Sequence, residues 1–438
     1  MAGKSWNIKD NQSSFKIKYG KVADVVYNAA NPILMQIQTK KDFVGKQMID
    51  ENPLGYSGSV GSRLLPMSNN GNYANSILTS KKIYATVTVD RESMQASSTS
   101  EGAFFKFMDR PIKDTMESFV RNRSRMFFND GSAVLGKGAA GAADITGNGS
   151  LATPYVVTFT AAEFHEQNFE ERDYVQVVTG ITDAITNAGG TPEGGDTKTN
   201  LLEVVEVNPV ARTIKLVGTS PVLAAKVAAP AGLLATDAIV MQRSYMGDFT
   251  GLRLISKASE AFATSGTVTN LYGIPTFRRW SMLVKNAAGA TISSALMNEI
   301  AIGVEAKTGK TVNLIATSYT QYTKILDLSE NQKQYTTCMP AEKAFQKAMF
   351  GFKAVEYMTS TGPVPVIPDR MVRKDEVWFL NKNYIEFRLR PGGAEWFTND
   401  GTTFLRELEE DSYGARYGAY GECFISPPYH GHLRNLSV

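Results

Sequence analysis

Cysteine and histidine are scarce in this sequence, which has 2 cysteines and 3 histidines among 438 residues. Cys338 and Cys423 lie far apart, and one pair does not make a disulfide framework, so we expect a reducing compartment. With so few histidines, a serine or cysteine nucleophile would lack a general base. The His430-Gly431-His432 pair has no further ligand at metal-binding spacing. These shortages argue against nucleophilic catalysis and against a zinc site.

Long apolar runs are also missing. The N-terminal residues MAGKSWNIKD contain no apolar segment of the kind that a signal peptide requires. No stretch approaches the roughly 20 apolar residues that are needed to span a bilayer. The sequence therefore predicts a soluble protein that is made in a cytoplasm and has no membrane partner.

Charges of the two signs nearly balance, with 46 basic and 43 acidic residues, so the whole chain is no polycation. Residues 1–21 are an exception, because their only acidic residue is Asp10. We interpret them as a basic arm that contacts nucleic acid or an acidic neighbour, or as a solvated tail. The lysines of this arm are Lys4, Lys9, Lys16, Lys18 and Lys21.

The strongest periodic pattern lies between Ser98 and Asp130. Apolar residues at spacings of three and four place Phe104, Met108, Ile112, Met116 and Phe119 on one side of a helix. The other side indicates a solvated or partner-facing surface, formed by Lys106, Asp109, Lys113, Glu117, Arg121 and Arg125. Pro111 interrupts the pattern, so we expect either a kinked helix or a short turn followed by a longer helix.

Residues 44–80 have the opposite character. Glycine and asparagine are frequent there and apolar residues are thinly scattered, and such a long loop without a core is uncommon inside a compact domain. We interpret it as disordered, or as an arm that becomes ordered against another subunit. The alternating segment 82–91 then predicts a strand that leads into the helix.

Short β-type segments follow between residues 155 and 245, separated by turn residues: YVVTFT, DYVQVVTG, NLLEVVEVN, RTIKLVG and DAIVMQR. NPVAR predicts a hairpin between the third and the fourth of them. This spacing is typical of a small barrel or sandwich. Residues 131–150 are rich in glycine and alanine and are interpreted as a flexible connector. The β domain is therefore predicted to be an insertion.

Helices and strands alternate again after residue 293. Apolar spacing and Gly309 predict a helix over 293–309, residues 311–317 predict a buried strand, and 319–329 predict another helix. GPVPVIPDRM predicts an extended crossing, EVWFLNKNYIEFRLR two strands joined by a turn, and ARYGAYGECFISPP a final strand. The fold class that we predict is α+β with an inserted small all-β domain.

Two further segments have patterns that occur in ligand-binding or catalytic sites, but neither pattern is complete. Gly131 to Gly138 has the spacing of a phosphate-binding loop, but Gly138 replaces the hydroxyl residue and no strand precedes it. The acidic run 407–411 (ELEED) is more typical of a solvated face than of an acid–base pair. We therefore predict no catalytic, cofactor-binding or metal-binding residues and no enzyme activity.

The order of these parts resembles the major capsid proteins of tailed bacteriophages, which have the Hong Kong 97-type fold. In that family an N-terminal arm, an extended loop and a strand precede a long spine helix, and peripheral and axial domains follow. KKIYATVTVDRES before EGAFFKFM resembles the start of the spine helix, and RNRSRMFFNDGS resembles its end. YGIPTFRRW at 272–280 resembles the segment by which members with insertions rejoin the main fold.

The resemblance covers nearly the whole chain apart from residues 151–250, and it implies a division into segments. These are the N-terminal arm 1–43, the extended loop 44–81, the first part of the peripheral domain 82–150 with the spine helix 98–130, the inserted β-barrel or sandwich domain 151–250, the peripheral connection 251–286, the axial domain 287–367, and the returning peripheral sheet and C-terminus 368–438. The inserted domain is expected on the outer face of a shell, because the inner surface must accommodate the genome.

The function implied by the resemblance is structural. Hexamers and pentamers of this chain would self-assemble into the icosahedral or prolate head shell that encloses the double-stranded DNA genome. The implied partners are other copies of the chain, separate scaffolding, portal and decoration proteins, and packaged DNA in non-specific contact. No acidic, helix-rich scaffolding segment precedes the arm, so we expect a separate scaffolding protein or none. Assembly is expected in the host cytoplasm, and the final location is the virion capsid.

Some members of that family cross-link a loop lysine covalently to a neighbour's asparagine. Lys81 and Lys82 are the candidates near the base of the loop, but no glutamate is marked as the catalyst, so we do not expect this cross-link.

Two other functions fit part of the pattern. An encapsulin-like shell would share the fold but store enzyme cargo, and the glycine-rich loop and the insertion favour a phage over it. A monomeric adhesin or carbohydrate-binding protein would use the β insertion. Light scattering distinguishes this second alternative, because a capsid protein forms capsomers or shells.

Overall fold

The computed structural model describes residues 32–55, 58–62, 67, 71–91, 101–138, 145–160, 163–195, 200–228, 232–330, 355–360, 362–398, 405–406 and 411–438, and of residues 101–111, 329–330 and 355 only the backbone. The lysines of the predicted N-terminal arm lie outside the described residues, as do Ser98, Cys338 and most of the acidic run 407–411.

In the described part of the chain, the α-helices with both ends defined are α1 (Glu101–Phe128), α2 (Pro221–Ala228), α3 (Leu252–Ser265), α4 (Ser294–Thr308) and α5 (Tyr319–Glu330). Short 3-10 turns lie at Leu34–Gln36, Glu166–Asn168, Lys382–Tyr384 and Pro427–Tyr429.

The strands before α1 are β1 (Gln38–Lys40), β2 (Gln47–Pro53), β3 (Tyr73–Thr79) and β4 (Lys81–Asp90). Those between α1 and α3 are β5 (Val134–Lys137), β6 (Ile145–Thr146), β7 (Tyr155–Thr158), β8 (Tyr174–Thr179), β9 (Thr191–Pro192), β10 (Leu202–Asn208), β11 (Thr213–Val217) and β12 (Ala238–Met241). Those after α3 are β13 (Asn270–Leu271), β14 (Ile274–Pro275), β15 (Leu283–Asn286), β16 (Leu314–Thr317), β17 (Val355–Thr359), β18 (Gly362–Pro368), β19 (Val377–Leu380), β20 (Ile385–Leu389), β21 (Glu395–Trp396), β22 (Leu405–Arg406), β23 (Ser412–Ile425) and β24 (Gly431–Arg434).

The described chain forms two compact units. The first contains the residues before Glu51 together with Ile77–Leu254 and Glu386–Phe424, and the second contains Glu51–Ser76, Ile255–Ile385 and Ile425–Val438. A sheet in the first unit has the strand order β1-β20-β23-β21, with β4 and β22 also paired to β23. The strand predicted at 82–91 is confirmed as β4, which runs antiparallel to β23 along its whole length.

Helix α1 packs its apolar stripe against this sheet. Ile112, Met116 and Phe119 are all buried, as the periodicity predicted, and Phe119 meets Tyr417 of β23 edge to face at 5.0 Å. α1 continues through Pro111 without a break, so the alternative of a short turn before a longer helix is wrong. The polar side also differs from the prediction, because Arg125 at its end is buried rather than solvated.

The inserted domain is an antiparallel sheet in the order β5-β12-β8-β10-β11-β7-β6, with β9 paired to β8. All five β segments predicted from the sequence are strands, and the predicted hairpin joins β10 to β11. The sheet curls so that distant strands approach each other. A Cβ at Gly136 of the edge strand β5 would lie only 2.8 Å from the ring of Phe159, the residue that follows β7. Its interior is one apolar cluster that includes Leu135, Val157 and Val204.

Two features of this domain differ from the sequence-based expectation. Strands β5 and β6 belong to its sheet although both precede residue 151, so residues 134–137 are not a flexible connector. Helix α2 lies within the domain, and Leu223 on it joins the apolar cluster, so the domain is not all β. The sequence of β5, VLGK, is too short and glycine-rich to show the alternation that marks a strand.

The second unit has the sheet order β15-β24-β19-β16-β18-β17 and a core shared with α4 and α5. The helix predicted over 293–309 is confirmed as α4, because Ser293 caps its first turn and Gly309 at φ 69° ends it. The predicted proline-rich crossing is strand β18, which pairs with β16 and β17.

The C-terminal part is divided between the two sheets. EVWFLNKNYIEFRLR forms two strands as predicted, but β19 lies in the sheet of the second unit and β20 in that of the first. The segment predicted as the final strand is β23, and β24 follows it. A single returning sheet over 368–438 is therefore wrong, because local alternation does not tell which sheet a strand joins.

Candidate assembly surface

Strands β2 and β3 form a sheet of their own. Hydrogen bonds close it at two points, from Leu54 N to Asn72 O at 2.7 Å and from Ser80 N to Lys46 O at 3.0 Å, so the strands are antiparallel. We call β2, β3 and the described residues between them the hairpin. It corresponds to the glycine- and asparagine-rich loop that the sequence predicted to be either disordered or ordered by a neighbour.

The hairpin exposes apolar side chains in an alternating pattern. Ile49 is 61% exposed and Tyr73 56%, Ile77 is also exposed, and Val60 and Met67 between the strands are almost wholly exposed. A two-stranded hairpin is at best marginally stable by itself in water. Exposed apolar side chains grouped in one segment mark a contact with another protein rather than a solvated loop.

The base of the hairpin is fixed by Arg388 of β20, whose side chain is nearly buried. One of its nitrogens lies 2.9 Å from Asp50 of β2 and 2.9 Å from Glu386, and the other lies 3.1 Å from Asp42. Lys40 of β1 pairs with Glu386 at 2.7 Å. This network ties the start of the hairpin to the sheet that α1 covers.

A second charged cluster lies where β4 begins. Lys81 Nζ donates to Asp248 O at 2.5 Å and lies 3.8 Å from the Glu422 carboxylate. Glu422 Oε1 also accepts hydrogen bonds from the backbone N–H groups of Thr250 at 2.7 Å and Cys423 at 3.0 Å. The amine of Lys81 is thus held inside the subunit, which does not suit it as a cross-linking lysine. Lys82 is exposed and lies over the ring of Tyr420.

The C-terminal half of α1 is joined to the inserted domain by ion pairs. Arg125 and Asp248 are both buried and lie 2.9 Å apart. Arg121 contacts Asp173 at 2.6 Å and also pairs with Glu170. A buried pair of this kind resists disruption, because removal of one partner leaves an uncompensated charge. These arginines are therefore structural, and they do not form the partner-facing surface that the sequence predicted.

Burial shifts the pKa values of the groups in these clusters. It raises the pKa of Asp248, against the opposing effect of Arg125 and Lys81, and it raises the pKa of Glu422, which Lys81 opposes. Burial also lowers the pKa of Arg123, which lies 4.2 Å over the Phe387 ring, to about 9. All three shifts have the same cause, which is that the charged form loses contact with water.

Aromatic residues of β23 pack on both faces of its sheet. Tyr417 faces α1, whereas Tyr420 lies on the other side of β23 with Tyr84 and Phe397, at ring distances of 5.9 Å and 5.1 Å. Burial and a hydrogen bond with Tyr420 raise the pKa of Tyr84 to about 12, so the Tyr84 hydroxyl stays neutral.

The candidates for chemistry are placed in structural roles. Gly138 is close-packed, since a Cβ there would lie 2.5 Å from Leu233, and Gly131 to Gly138 contains strand β5 instead of a phosphate-binding loop. His432 stacks on Trp378 at 3.6 Å, and burial lowers the pKa of His430 to about 3. Within the described ranges no group of three or more histidine, cysteine, aspartate or glutamate residues has the arrangement of a metal site.

The first comparison with known proteins is with family models. The model of the SU10 major capsid protein matches residues 253–412. A search of curated protein sequences gives no match.

Solved structures give a second comparison. The cyanophage A-1(L) capsid is 11% identical, covers 93% of each chain and gives a TM-score of 0.52. The capsid of the Myoviridae phage XM1 is 7% identical, with 92% of this chain and 91% of the other covered, at a TM-score of 0.42. The fold assignment depends on the first of these structures, because its score is above one half.

Residues 253–412, which are less than half of the chain, thus match the model of a major capsid protein, and the chain has the fold of a phage capsid protein. The predicted Hong Kong 97-type α+β fold class is confirmed, with the difference that helix α2 lies in the inserted domain. Among the described helices, none is both long enough and apolar enough to cross a membrane.

Sequence reasoning identified the loop but missed the residues that position it. Arg388 is one of several basic residues in β20 and its flanks, and nothing in the local sequence distinguishes it. The buried pair of Arg125 and Asp248 joins residues 123 positions apart, so no local pattern could reveal it. The alternation of exposed residues in β2 and β3 was the one available signal.

Proposed function

We propose that this chain is a structural head-shell protein of a tailed phage, that it assembles as pentamers and hexamers, and that the hairpin holds neighbouring subunits together. The observation that carries the proposal is the exposure of Ile49, Tyr73 and Ile77 on a hairpin whose base is fixed by Arg388. A fixed base and an uncovered apolar surface suit an arm that lies on an adjacent subunit, where burial of these side chains would stabilise the assembly.

The remaining partners follow from the same role. The shell encloses double-stranded DNA, with non-specific contact made by the basic residues of the N-terminal arm. Separate scaffolding, portal and decoration proteins complete the head, which assembles in the host cytoplasm. The protein catalyses no reaction, and the packing of its histidines and of Cys423 supports this assignment.

We also propose how the fold maps onto the shell. The unit that contains α1 and β23 corresponds to the peripheral domain, and the unit that contains α4 and α5 corresponds to the axial domain. The inserted domain faces outward and is available to decoration proteins. Its complete apolar core supports this placement, because the domain needs no contact with the rest of the shell to remain folded.

Shortening the hairpin tests the proposal. Residues 55–71 are replaced by Asn-Gly, which joins Leu54 to Asn72 at the point where a hydrogen bond already closes the sheet. We expect a subunit with an unchanged thermal transition that forms no shells by light scattering or electron microscopy. The control variant shortens the exposed turn 209–212 between β10 and β11 to Asn-Gly and should assemble normally. Shells of normal size from the shortened hairpin would refute the proposed role.

A further inference from the structure

The sheet face opposite α1 carries a compact group of aromatic and basic side chains. Because Tyr417 points to α1, its neighbours Arg416 and Gly418 and the residue Tyr420 lie on the other face of β23. Tyr84 lies opposite Gly418 in the pairing of β4 with β23. A Cβ on Gly418 would meet the rings of Phe397 at 2.8 Å and Tyr84 at 3.1 Å, so the glycine lets both rings lie close to the sheet.

The three rings contact one another and are bordered by cations. Tyr84 meets Phe397 at 5.7 Å, and their common neighbour Tyr420 has Arg390 at 5.2 Å and Lys82 at 5.9 Å from its ring centre. Arg416 is close enough to Tyr84 to act on its pKa. We call Lys82, Tyr84, Arg390, Phe397, Arg416 and Tyr420 the aromatic–cationic patch.

The patch is accessible and has the composition of a protein interface. Tyr84 is 47% exposed, and the three basic residues are exposed as well. Tyrosine, phenylalanine and arginine are the residue types that are enriched where proteins bind one another. One acidic residue, Glu395, lies on the same face of β21, so the patch is positive and suits a partner segment that carries several carboxylates.

The most acidic segment of this chain begins at the other end of the same strand. Glu407, Glu409, Glu410 and Asp411 follow Arg406, which pairs with Tyr413, and Asp411 directly precedes β23. Tyr420 lies nine residues beyond Asp411 along the strand, which corresponds to roughly 30 Å. Arg406 and Asp411, which flank the other acidic residues of the run, both lie at the far end of the strand from Tyr420.

We propose that the aromatic–cationic patch receives the acidic run 407–411 of a second copy of this chain. The inference rests on the proposed assembly into capsomers and adds a second contact to it, independent of the hairpin. Basic and acidic surfaces at opposite ends of one strand make a head-to-tail contact, and head-to-tail contacts that close produce rings. Leu408 within the run would pack on the exposed rings while its carboxylates pair with Lys82 and Arg390.

Charge reversal in two separate variants tests the pairing. The patch variant is Lys82→Glu with Arg390→Glu, and the run variant is Glu409→Lys with Glu410→Lys. We expect each alone to assemble at least tenfold less than wild type by light scattering, with an unchanged thermal transition. In an equimolar mixture, alternating copies in a hexamer restore every contact, so the amount of hexamer should return to within twofold of wild type. A pentamer keeps one like-charged contact, so closed shells should remain fewer.

A control variant and a DNA-binding measurement distinguish the proposed occupant of the patch from nucleic acid. The control variant Lys113→Glu with Lys310→Glu changes exposed lysines elsewhere and should assemble normally. Normal assembly of the patch variant, or a mixture in which hexamers do not return, would overturn the inference. So would a patch variant that assembles normally but binds a 30-base-pair DNA duplex more weakly in fluorescence anisotropy, because the patch would then receive nucleic acid. A wild-type protein that never assembles would instead refute the proposed function, and this inference with it.

Discussion

The inserted domain and the hairpin are stabilised in different ways. In the inserted domain apolar side chains from strands at both edges of the sheet meet in one buried cluster. In the hairpin the apolar side chains of Ile49, Tyr73 and Ile77 are exposed. The inserted domain has a core of its own, whereas the hairpin exposes apolar side chains of the kind that form a core.

This difference separates stability from assembly. A domain with a closed core contributes to the free energy of unfolding of the single subunit. A hairpin with an open apolar face gains most of its stabilisation when a partner covers it. Substitutions in the inserted domain should therefore change the stability of the subunit, and substitutions in the hairpin should change assembly.

The largest loss of stability is expected at the joint between the inserted domain and α1. Asp248→Ala leaves the buried Arg125 without its partner and should lower the free energy of unfolding by about 3–5 kcal/mol. Denaturant unfolding of the monomeric fraction, separated from assembled protein, measures this loss. The double variant Arg125→Met with Asp248→Leu removes both charges and should be clearly more stable than Asp248→Ala. Equal stability of the single and double variants would show that the pair is not the cause.

A matched pair of truncations compares the two regions directly. Leu202→Ala in the core of the inserted domain should cost about 2–5 kcal/mol, because it removes a fully buried side chain. Ile49→Ala on the hairpin should change the stability of the subunit by less than about 0.5 kcal/mol. Assembly should show the reverse order at a temperature at which both variants are folded. A hairpin truncation that destabilises as much as Leu202→Ala would mean that Ile49 packs within its own subunit.

The anchor of the hairpin should have an intermediate effect. Arg388→Gln removes three ion pairs at a partly buried position, and we expect a loss of about 1–2 kcal/mol in subunit stability. The amount of assembled protein should decrease more than this loss of stability explains, because the base of the hairpin is no longer fixed for contact with a neighbouring subunit. The exposed pair of Lys285 and Glu299 serves as a control, and Lys285→Gln should leave both quantities unchanged.

The pH dependence of the charged cluster at the start of β4, which contains Lys81 and Glu422, should have a defined sign. Burial raises the pKa of Glu422, so its contribution to stability is complete below the unfolded pKa and decreases as pH rises through the folded pKa. Glu422→Gln removes this contribution, and the variant should therefore lose less stability than wild type between pH 4 and the raised folded pKa. Thermal melting over that range measures the difference. A steeper loss in the variant would contradict the assigned shift.

Elements with strong local signals could be predicted from the sequence. The buried stripe of α1, the five strands of the inserted domain and the end of α4 at Gly309 all follow from spacing and residue type. The position of Arg125 could not be predicted, because its burial depends on Asp248, which is distant in sequence.

The candidate surface shows the same division. Composition identified 44–80 as a segment without a core, but it gave no sign that β2 and β3 pair or that Arg388 anchors them. The division of β19 and β20 between two sheets was likewise hidden, because both are short apolar strands with similar patterns.

The most direct test of the account places charge on the exposed face of the hairpin. The triple variant Ile49→Asp, Tyr73→Asp and Ile77→Asp keeps every buried side chain and every ion pair at the base. The control variant is Val210→Asp, which places a charge at an exposed apolar position on the inserted domain. Sedimentation velocity of freshly purified protein should show wild type and Val210→Asp as capsomers or shells and the triple variant as folded monomers. Capsomers or shells formed by the triple variant in wild-type amounts would contradict the central claim that the hairpin holds the subunits together.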